Sequence, residues 1–462
     1  MKKTTFVLVL LLFSCPYGAF AQDTVRVSLQ EFIERGIENA SQLDYEQQKI
    51  HLAENQVDQV NAKRYLPSFE FSSQHGVVPG VISQRDDLSE DAYYLDPNLK
   101  NDWEDWAVFT RAEVSAAQPL FTWGALSNAV KAAKSAAEAA KEQFEQQKSG
   151  LEVRLIELYQ SHILTNEIMR LLEEATNTIK DIEKQLEDKQ EEGAEDFDES
   201  DIFKFRIFKS EFATRAAEVR ESAQMTHRIW NYVLQAGDDT LFIPEESFLD
   251  PVTGDLREFD YYRMNAISNR SEIKAIEAGM NAAEYGLEAE RSRNYPALVL
   301  GMSGSFANTP NRPRQSNPFI INNANYLSAS FGLIIRQNLD FLSMNANVER
   351  RQLQYRQTKY LREAAVDGIE LELNEAYKNA SLSKTKVENT DEALVVSKKW
   401  LRQEQLDYDF GIGDTKDLID AMKKELELRV QKRRDIYDFN TDMLELHRKS
   451  GLPLIPIFNN ED

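Results

Sequence analysis

Four segments of roughly ten residues, each with one set of alternate side chains largely apolar and the other largely polar, interrupt a chain that otherwise reads as long helix. From Ala107 to Ala117, Val108, Thr110, Ala112, Val114 and Ala116 alternate with Phe109, Arg111, Glu113 and Ser115. From Tyr326 to Arg336, Leu327, Ala329, Phe331, Leu333 and Ile335 alternate with Ser328, Ser330, Gly332 and Arg336. Phe69 and Phe71 follow Pro67, set against Ser68, Glu70 and Ser72, and Leu298, Leu300, Met302 and Phe306 follow Pro296, set against Ser303 and Ser305. Strands of this length and period fit the wall of a membrane barrel, greasy outside and wet inside, and they also fit a half-buried soluble sheet. The connections favour the barrel. Gln74 to Trp106 and Ala307 to Asn325 are long, polar and rich in Asn, Asp and Pro, so each pair of strands reads as a hairpin with a long loop at one end and helices at the other. Four strands cannot close on themselves in lipid without leaving backbone groups unsatisfied, so such a subunit must oligomerise.

The helical remainder is built on one plan used twice. Leu29-Gln30-Glu31-Phe32 returns as Leu256-Arg257-Glu258-Phe259, and each is expected to open a short amphipathic helix followed by a second one ending near Arg64 and Arg293. Proline then stops the helix at Tyr65-Leu66-Pro67 and at Asn294-Tyr295-Pro296, because its ring clashes with a continuing helix and biases its predecessor toward extended backbone. After the strands the helical pattern resumes for about 70 residues, to Gly193 and Gly411, which at 1.5 Å per residue makes a rod on the order of 100 Å. Return helices are expected from Ser200 to Ala236 and from Thr415 to Ser450. Leu172, Ala175, Ile179, Ile182 and Leu186 keep a three-four rhythm, as do Ile436, Phe439, Met443 and Leu446, which is a coiled-coil seam. The chain is therefore expected to hold two structural repeats, 22–254 and 255–462, from an internal duplication of about 220 residues. The first carries strands near 67–78 and 107–117 and a helical hairpin over 122–236, the second strands near 297–306 and 326–336 and a hairpin over 342–450.

Residues 1–21 read as a secretory signal peptide, with Lys2 and Lys3, an apolar run from Phe6 to Phe13 and Ala19-Phe20-Ala21 before the expected new terminus at Gln22. Cleavage there is preferred to lipidation at Cys15, the single cysteine, because Phe13 is bulky for a lipidation box and Pro16 follows the cysteine. Without Lys2 and Lys3 the chain keeps 52 basic against 77 acidic residues, a charge of −25, which argues against nucleic acid as a partner.

Enzymatic chemistry finds no foothold. His51, His75, His162, His227 and His447 are scattered, with none in a zinc-type pair. Gly301-Met302-Ser303-Gly304 is not a nucleophile elbow, since Ser305 stands where the last glycine belongs, and Gly411-Ile412-Gly413 lacks the rest of a phosphate loop. Glu191, Glu192, Glu195, Asp196, Asp198 and Glu199 lack calcium-loop spacing. Neither a metal nor any other cofactor is expected.

Three stretches give the chain a resemblance to the TolC-like outer-membrane efflux family over essentially its whole mature length. Gln118-Pro119-Leu120-Phe121-Thr122-Trp123-Gly124 is similar to that family's Q-P-L-F-x-x-G step from barrel to helix. Leu29-Gln30-Glu31-Phe32 with its early helix is the second, and Tyr408-Asp409-Phe410-Gly411 with Asp417-Leu418-Ile419-Asp420-Ala421 is similar to the Y-x-x-G and D-V-L-D-A of the periplasmic end. The resemblance implies a mainly α fold with a membrane β-barrel: a homotrimer whose strands close a twelve-stranded barrel in the outer membrane above a periplasmic α-barrel of twelve helices. It further implies a passive duct of a tripartite efflux or type I secretion system, working with a periplasmic adaptor and an inner-membrane pump of RND, ABC or MFS type. Pro67, Pro119 and Pro296 then mark the barrel-to-helix transition, and Gly193, Gly411 and Gly413 the turns where an adaptor docks. Asp417 and Asp420, three apart on one helix face, are expected to form a carboxylate gate with Asp201 as their first-half counterpart, while Tyr408 braces the closed state. The family arginine two residues past its glycine is replaced here by Gly413, so the bracing bonds must differ. The competing reading of the two acids is a solvated helix N-terminus, and that of the whole chain a periplasmic coiled-coil protein outside the membrane. The cargo is not legible.

Overall fold

A computed structural model describes residues 23–192, 199–237, 240–253, 255–315, 317, 319–410 and 412–458. The signal peptide over 1–21, Cys15, Gly193 and Gly411 lie outside the described residues. The described residues divide into two compact units, one drawn from the ranges 23–41, 149–262 and 374–458 and the other from 42–148 and 263–373. Two helices of nearly equal length, α3 (Ala125–Glu192) and α7 (Phe341–Asp409), run from the second unit into the first.

In the first unit, β1 (Asp23–Val27) pairs in parallel with β4 (Thr240–Pro244), and α1 (Leu29–Glu38) follows β1 directly. Ser28 caps α1 by accepting a bond from the Glu31 amide at 3.2 Å, which satisfies one of the free donors of the first turn. Phe32 is fully buried and stacks on Trp230 at 4.3 Å between centroids. Tyr159 completes this aromatic knot and places its hydroxyl, with one proton to donate, between the Val27 carbonyl and the Glu246 carboxylate. The second copy of the motif behaves differently, since α5 (Phe259–Asn269) begins at Phe259 and leaves Leu256 to Glu258 outside the helix. Asp255 stands where Ser28 stands in the first copy, and its carboxylate meets Lys384 at 3.3 Å instead of the helix amides.

The remaining helices of this unit are α4 (Glu199–Val233) and α8 (Thr415–Lys449). The seam residues Ile179, Ile182 and Leu186 of α3 pack with Phe205 and Phe208 of α4 and with Ile419 and Met422 of α8. Leu401 of α7 packs against the same cluster, so helices from both hairpins share one apolar core. Burying such side chains is worth about 1.5–3 kcal/mol each.

The second unit holds α2 (Ser41–Tyr65), α6 (Ser271–Ser292) and a four-stranded antiparallel sheet of order β2-β3-β5-β6. β5 (Ala297–Asn308) and β6 (Tyr326–Arg336) match the sequence expectation closely. β2 (Ser68–Ile82) and β3 (Lys100–Phe121) run beyond it at the loop end. There the ladder crosses an irregularity after Pro79 and resumes with Gly80 opposite Asp102, through polar residues that an alternation pattern does not mark.

Candidate functional site

The register of the sheet sorts its side chains into two faces. Residues directly opposite across a ladder project to the same side. Phe69, Ala116, Met302 and Phe331 therefore form one row across all four strands, and Phe71, Val114, Gly304 and Ala329 form another. Between them lies the row Glu70, Ser115, Ser303 and Ser330, and beside it Ser72, Glu113, Ser305 and Ser328, both on the opposite side. Val78, Phe109, Val299 and Ile334 are larger apolar side chains that fall on the polar face. Phe69 is 73% exposed and Phe331 85%, so neither is covered within the chain. β2 and β6 each have one unpaired edge. No helix among the described residues is long and apolar enough to cross a membrane.

Pro67 and Pro296 sit between helix and strand as expected, after α2 and α6 and before β2 and β5. Pro119 does not mark the end of its strand: it lies within β3 opposite Val299. β2 begins opposite Ala117, so β3 has already lost its neighbour on that side and a missing amide does no harm there. The turn itself falls at Thr122-Trp123-Gly124, where Trp123 and Gly124 adopt φ of 52° and 93° before α3 starts. Gly124 suits that left-handed backbone, whereas a bulky residue there is a steric outlier.

In the first unit the other candidate residues gather where α7 ends and α8 begins. Tyr408 is 4% exposed in the last turn of α7, and the Lys189 ammonium of α3 lies 4.0 Å from the centre of its ring. The buried Tyr408 hydroxyl has no hydrogen-bond partner among the described residues. The amides of Ile412 and Gly413 both donate to the Asp407 carbonyl, at 3.0 and 2.9 Å. A Cβ on Gly413 would fall 2.7 Å from the Tyr408 nitrogen and 2.8 Å from the Asp407 carbonyl carbon, so the backbone leaves no room for any side chain, an arginine included. Asp414 caps α8 by accepting from the Lys416 amide at 2.7 Å. Asp417 and Asp420 are exposed, while Leu418, Ile419, Ala421 and Met422 between and beyond them are buried. The two acids thus occupy the outer side of the helix, where Lys416 reaches Asp420 at 3.7 Å. Asp201 lies in the first turn of α4.

Ion pairs continue along the helices of this unit. Lys209 meets Glu183 at 2.6 Å, Lys423 meets Glu211 at 3.6 Å and Arg429 meets Glu174 at 2.7 Å. Glu167 is the buried member of the series: Arg433 approaches it at 3.3 Å and the Leu249 amide donates to it, yet burial still pushes its carboxyl upward. Sequence alone gives no role to Lys189, Lys416 or Trp123. Only Lys189, four residues before Gly193, and Trp123, beside Gly124, carry a positional hint.

Residues 263–448 match the sequence profile of the family described as "Outer membrane efflux protein". Among the curated proteins no sequence relative is found. Similar solved structures include CusC, at 15% identity and a TM-score of 0.74 over 93% of both chains. The open state of the MtrE channel of Neisseria gonorrhoeae is similar at 14% identity and a TM-score of 0.71, over 92% of this chain and 89% of that one. VceC of Vibrio cholerae is similar at 15% identity and a TM-score of 0.69, over 92% and 96%. The family profile thus covers most of the second half of the chain, and the fold of these solved structures is shared along nearly its whole length.

Proposed function

We propose that three copies of this chain close a twelve-stranded channel across the outer membrane and continue it into the periplasm as an α-barrel, forming the exit duct of a tripartite efflux or type I secretion system. The observation that supports this best is the sheet, with one apolar face, one polar face and two open edges in the order β2-β3-β5-β6. In water, each uncovered large apolar side chain forgoes about 1.5–3 kcal/mol, and in lipid each open edge forgoes its backbone partners. Pairing β6 of one copy with β2 of the next satisfies the edges, and lipid around the closed wall covers the apolar face, so a barrel in a bilayer removes both penalties. On this reading the two halves descend from one duplicated unit, and transport is passive, driven by an inner-membrane pump through a periplasmic adaptor that docks near Gly193, Gly411 and Gly413. Asp417 and Asp420, with Asp201, line the gate, and Tyr408 helps to hold it shut.

Fractionation and gel migration test this reading. The channel is expected in the outer membrane as a species that runs as a trimer in detergent until it is heated, and it should conduct ions in planar bilayers. A monomer found in the soluble periplasmic fraction would instead fit a coiled-coil protein outside the membrane and would overturn the proposal.

A further inference from the structure

Trp123 occupies a backbone conformation that its own side chain disfavours, and it is held there by contacts outside the turn. A bulky residue at φ of 52° is uncommon, and such strain persists only where surrounding structure over-determines it. Here the indole Nε1 donates to the Pro296 carbonyl at 2.9 Å. The ring also meets Phe121 at 5.0 Å and Tyr295 at 5.4 Å between centroids. Glycine would relieve the strain, so the ring itself needs an explanation. It is not in a core, for Trp123, Phe121 and Tyr295 are each more than half exposed.

The surroundings say what covers it. Phe121 stands opposite Leu298, and Leu298 opposite Ile335, so Phe121 continues the apolar face of the sheet to its helix-side end, where Trp123 and Tyr295 extend it. Trp106, on that same face near the far end of β3, is exposed and binds its indole to the Trp103 carbonyl at 2.8 Å. From Trp106 to Phe121 the strand spans about 50 Å at 3.3 Å per residue, or about 35 Å if tilted by about 45°, close to a hydrocarbon core with part of its polar margins. Cations also collect at the helix-side end. In a chain of formal charge −23, Lys63, Arg64, Arg291, Arg293 and Arg336 lie within a few residues of the strand termini. Glu288 and Glu290 engage Arg291 and Arg293, and the Arg64 guanidinium lies 4.9 Å from the Tyr65 ring centre. Aromatic rings with one apolar edge and one polar edge, beside basic groups, match the chemistry of a phospholipid headgroup layer.

We propose that Trp123, backed by Phe121 and Tyr295, is an anchor that seats the strand-to-helix junction in the headgroup layer of a phospholipid leaflet. The inference rests on the apolar face of the sheet being the lipid-facing one, and the test separates the two. The protein is reconstituted in phosphatidylethanolamine and phosphatidylglycerol vesicles whose chains are brominated either close to the glycerol or near the chain end. The chain has five tryptophans, so the Trp123 signal is taken as the difference between native protein and Trp123→Phe. Phe331→Trp supplies a reporter in the middle of the apolar face.

The expected result is a difference signal quenched by the shallow bromine and spared by the deep one, with the Phe331→Trp reporter quenched more by the deep one. Deep quenching of the reporter with no shallow quenching of Trp123 would overturn the anchor and leave the lipid-facing sheet standing. No quenching of either would overturn both. Trp123→Gly in the Phe331→Trp background gives a second reading. The anchor predicts an unchanged or higher thermal midpoint in detergent, because the turn relaxes, together with a weaker deep quench of the reporter. A lower midpoint with an unaltered quenching profile would reduce Trp123 to a part of the turn and sink the proposal.

Discussion

The Lys189 ammonium, near the end of one helical hairpin, lies 4.0 Å from the centre of the Tyr408 ring at the end of the other. Because the Tyr408 hydroxyl is buried without a partner among the described residues, the face of the ring and not its oxygen carries the contact. A partly buried cation–π contact of this kind is worth about 0.5–2 kcal/mol.

Removing the cation should therefore matter more than removing the oxygen. Lys189→Met is expected to raise the open probability of the channel in planar bilayers and to speed amide exchange over 401–410. Tyr408→Phe should leave both unchanged, whereas Tyr408→Leu should resemble Lys189→Met. A strong effect of Tyr408→Phe would instead point to a hydrogen bond from the hydroxyl.

The two aspartates of the proposed gate should not be equivalent. Lys416 lies 3.7 Å from Asp420 and offsets part of its charge. Asp417→Ala is expected to weaken block by trivalent cations more than Asp420→Ala does, and Lys416→Met should strengthen that block. Block unchanged in the double variant Asp417→Ala with Asp420→Ala would remove both from the gate.

Gly413 should tolerate no side chain. A Cβ there would lie 2.7 Å from the Tyr408 nitrogen, a backbone atom that cannot swing aside as a flexible side chain does. Gly413→Ala is expected to destabilise the turn between α7 and α8 by about 1–3 kcal/mol, read as faster amide exchange in the first two turns of α8. Gly413→Arg should be no better, despite the arginine found near this place in the family the sequence resembles.

Acid should loosen the first unit through His162. This residue is 1% exposed, neither of its ring nitrogens has a partner among the described residues, and it packs edge-on against His227 and Trp230. Burial, with a smaller contribution from His227, lowers its pKa to about 3. The unfolded chain takes up the proton first, near pH 6.5, so the stability held by neutral His162 is complete above that pH and is lost as pH falls toward 3. The slope approaches about 1.4 kcal/mol per pH unit well below the unfolded value. Asp438 and Asp442, raised by burial, change stability in the opposite sense on acidification. The measurement is therefore a difference: between pH 7 and pH 5 the urea midpoint should fall further for the native protein than for His162→Leu.

Alternation makes the strands of the four-stranded sheet legible, and β6 coincides with its expected span from Tyr326 to Arg336 because apolar and polar residues alternate along most of it, up to the apolar run that ends at Ile335. β3 outruns its expected span at both ends. Lys100 to Asp102 carry no apolar residue to reveal pairing, and Pro119 looks like a terminator although its neighbour on one side has already ended. The parallel pair of β1 and β4 escapes a pattern reading, since each strand has only five residues and the partners are more than two hundred positions apart. Around the candidate gate, Tyr408 and the aspartates stand out by motif. Their partners Lys189 and Lys416 do not, because a contact across helices, or between neighbours on a surface, leaves no period to read.

The bare margins of β2 and β6 also bear on how such a protein reaches its destination. A single copy entering lipid alone would carry two rows of unsatisfied amides and carbonyls, each costing several kcal/mol, so the proposed trimer binds insertion and assembly into one event. Before that event the same margins are adhesive in water, ready to join any stray strand. Yield in refolding should accordingly rise and then collapse with concentration, as correct threefold encounter gives way to indiscriminate stacking.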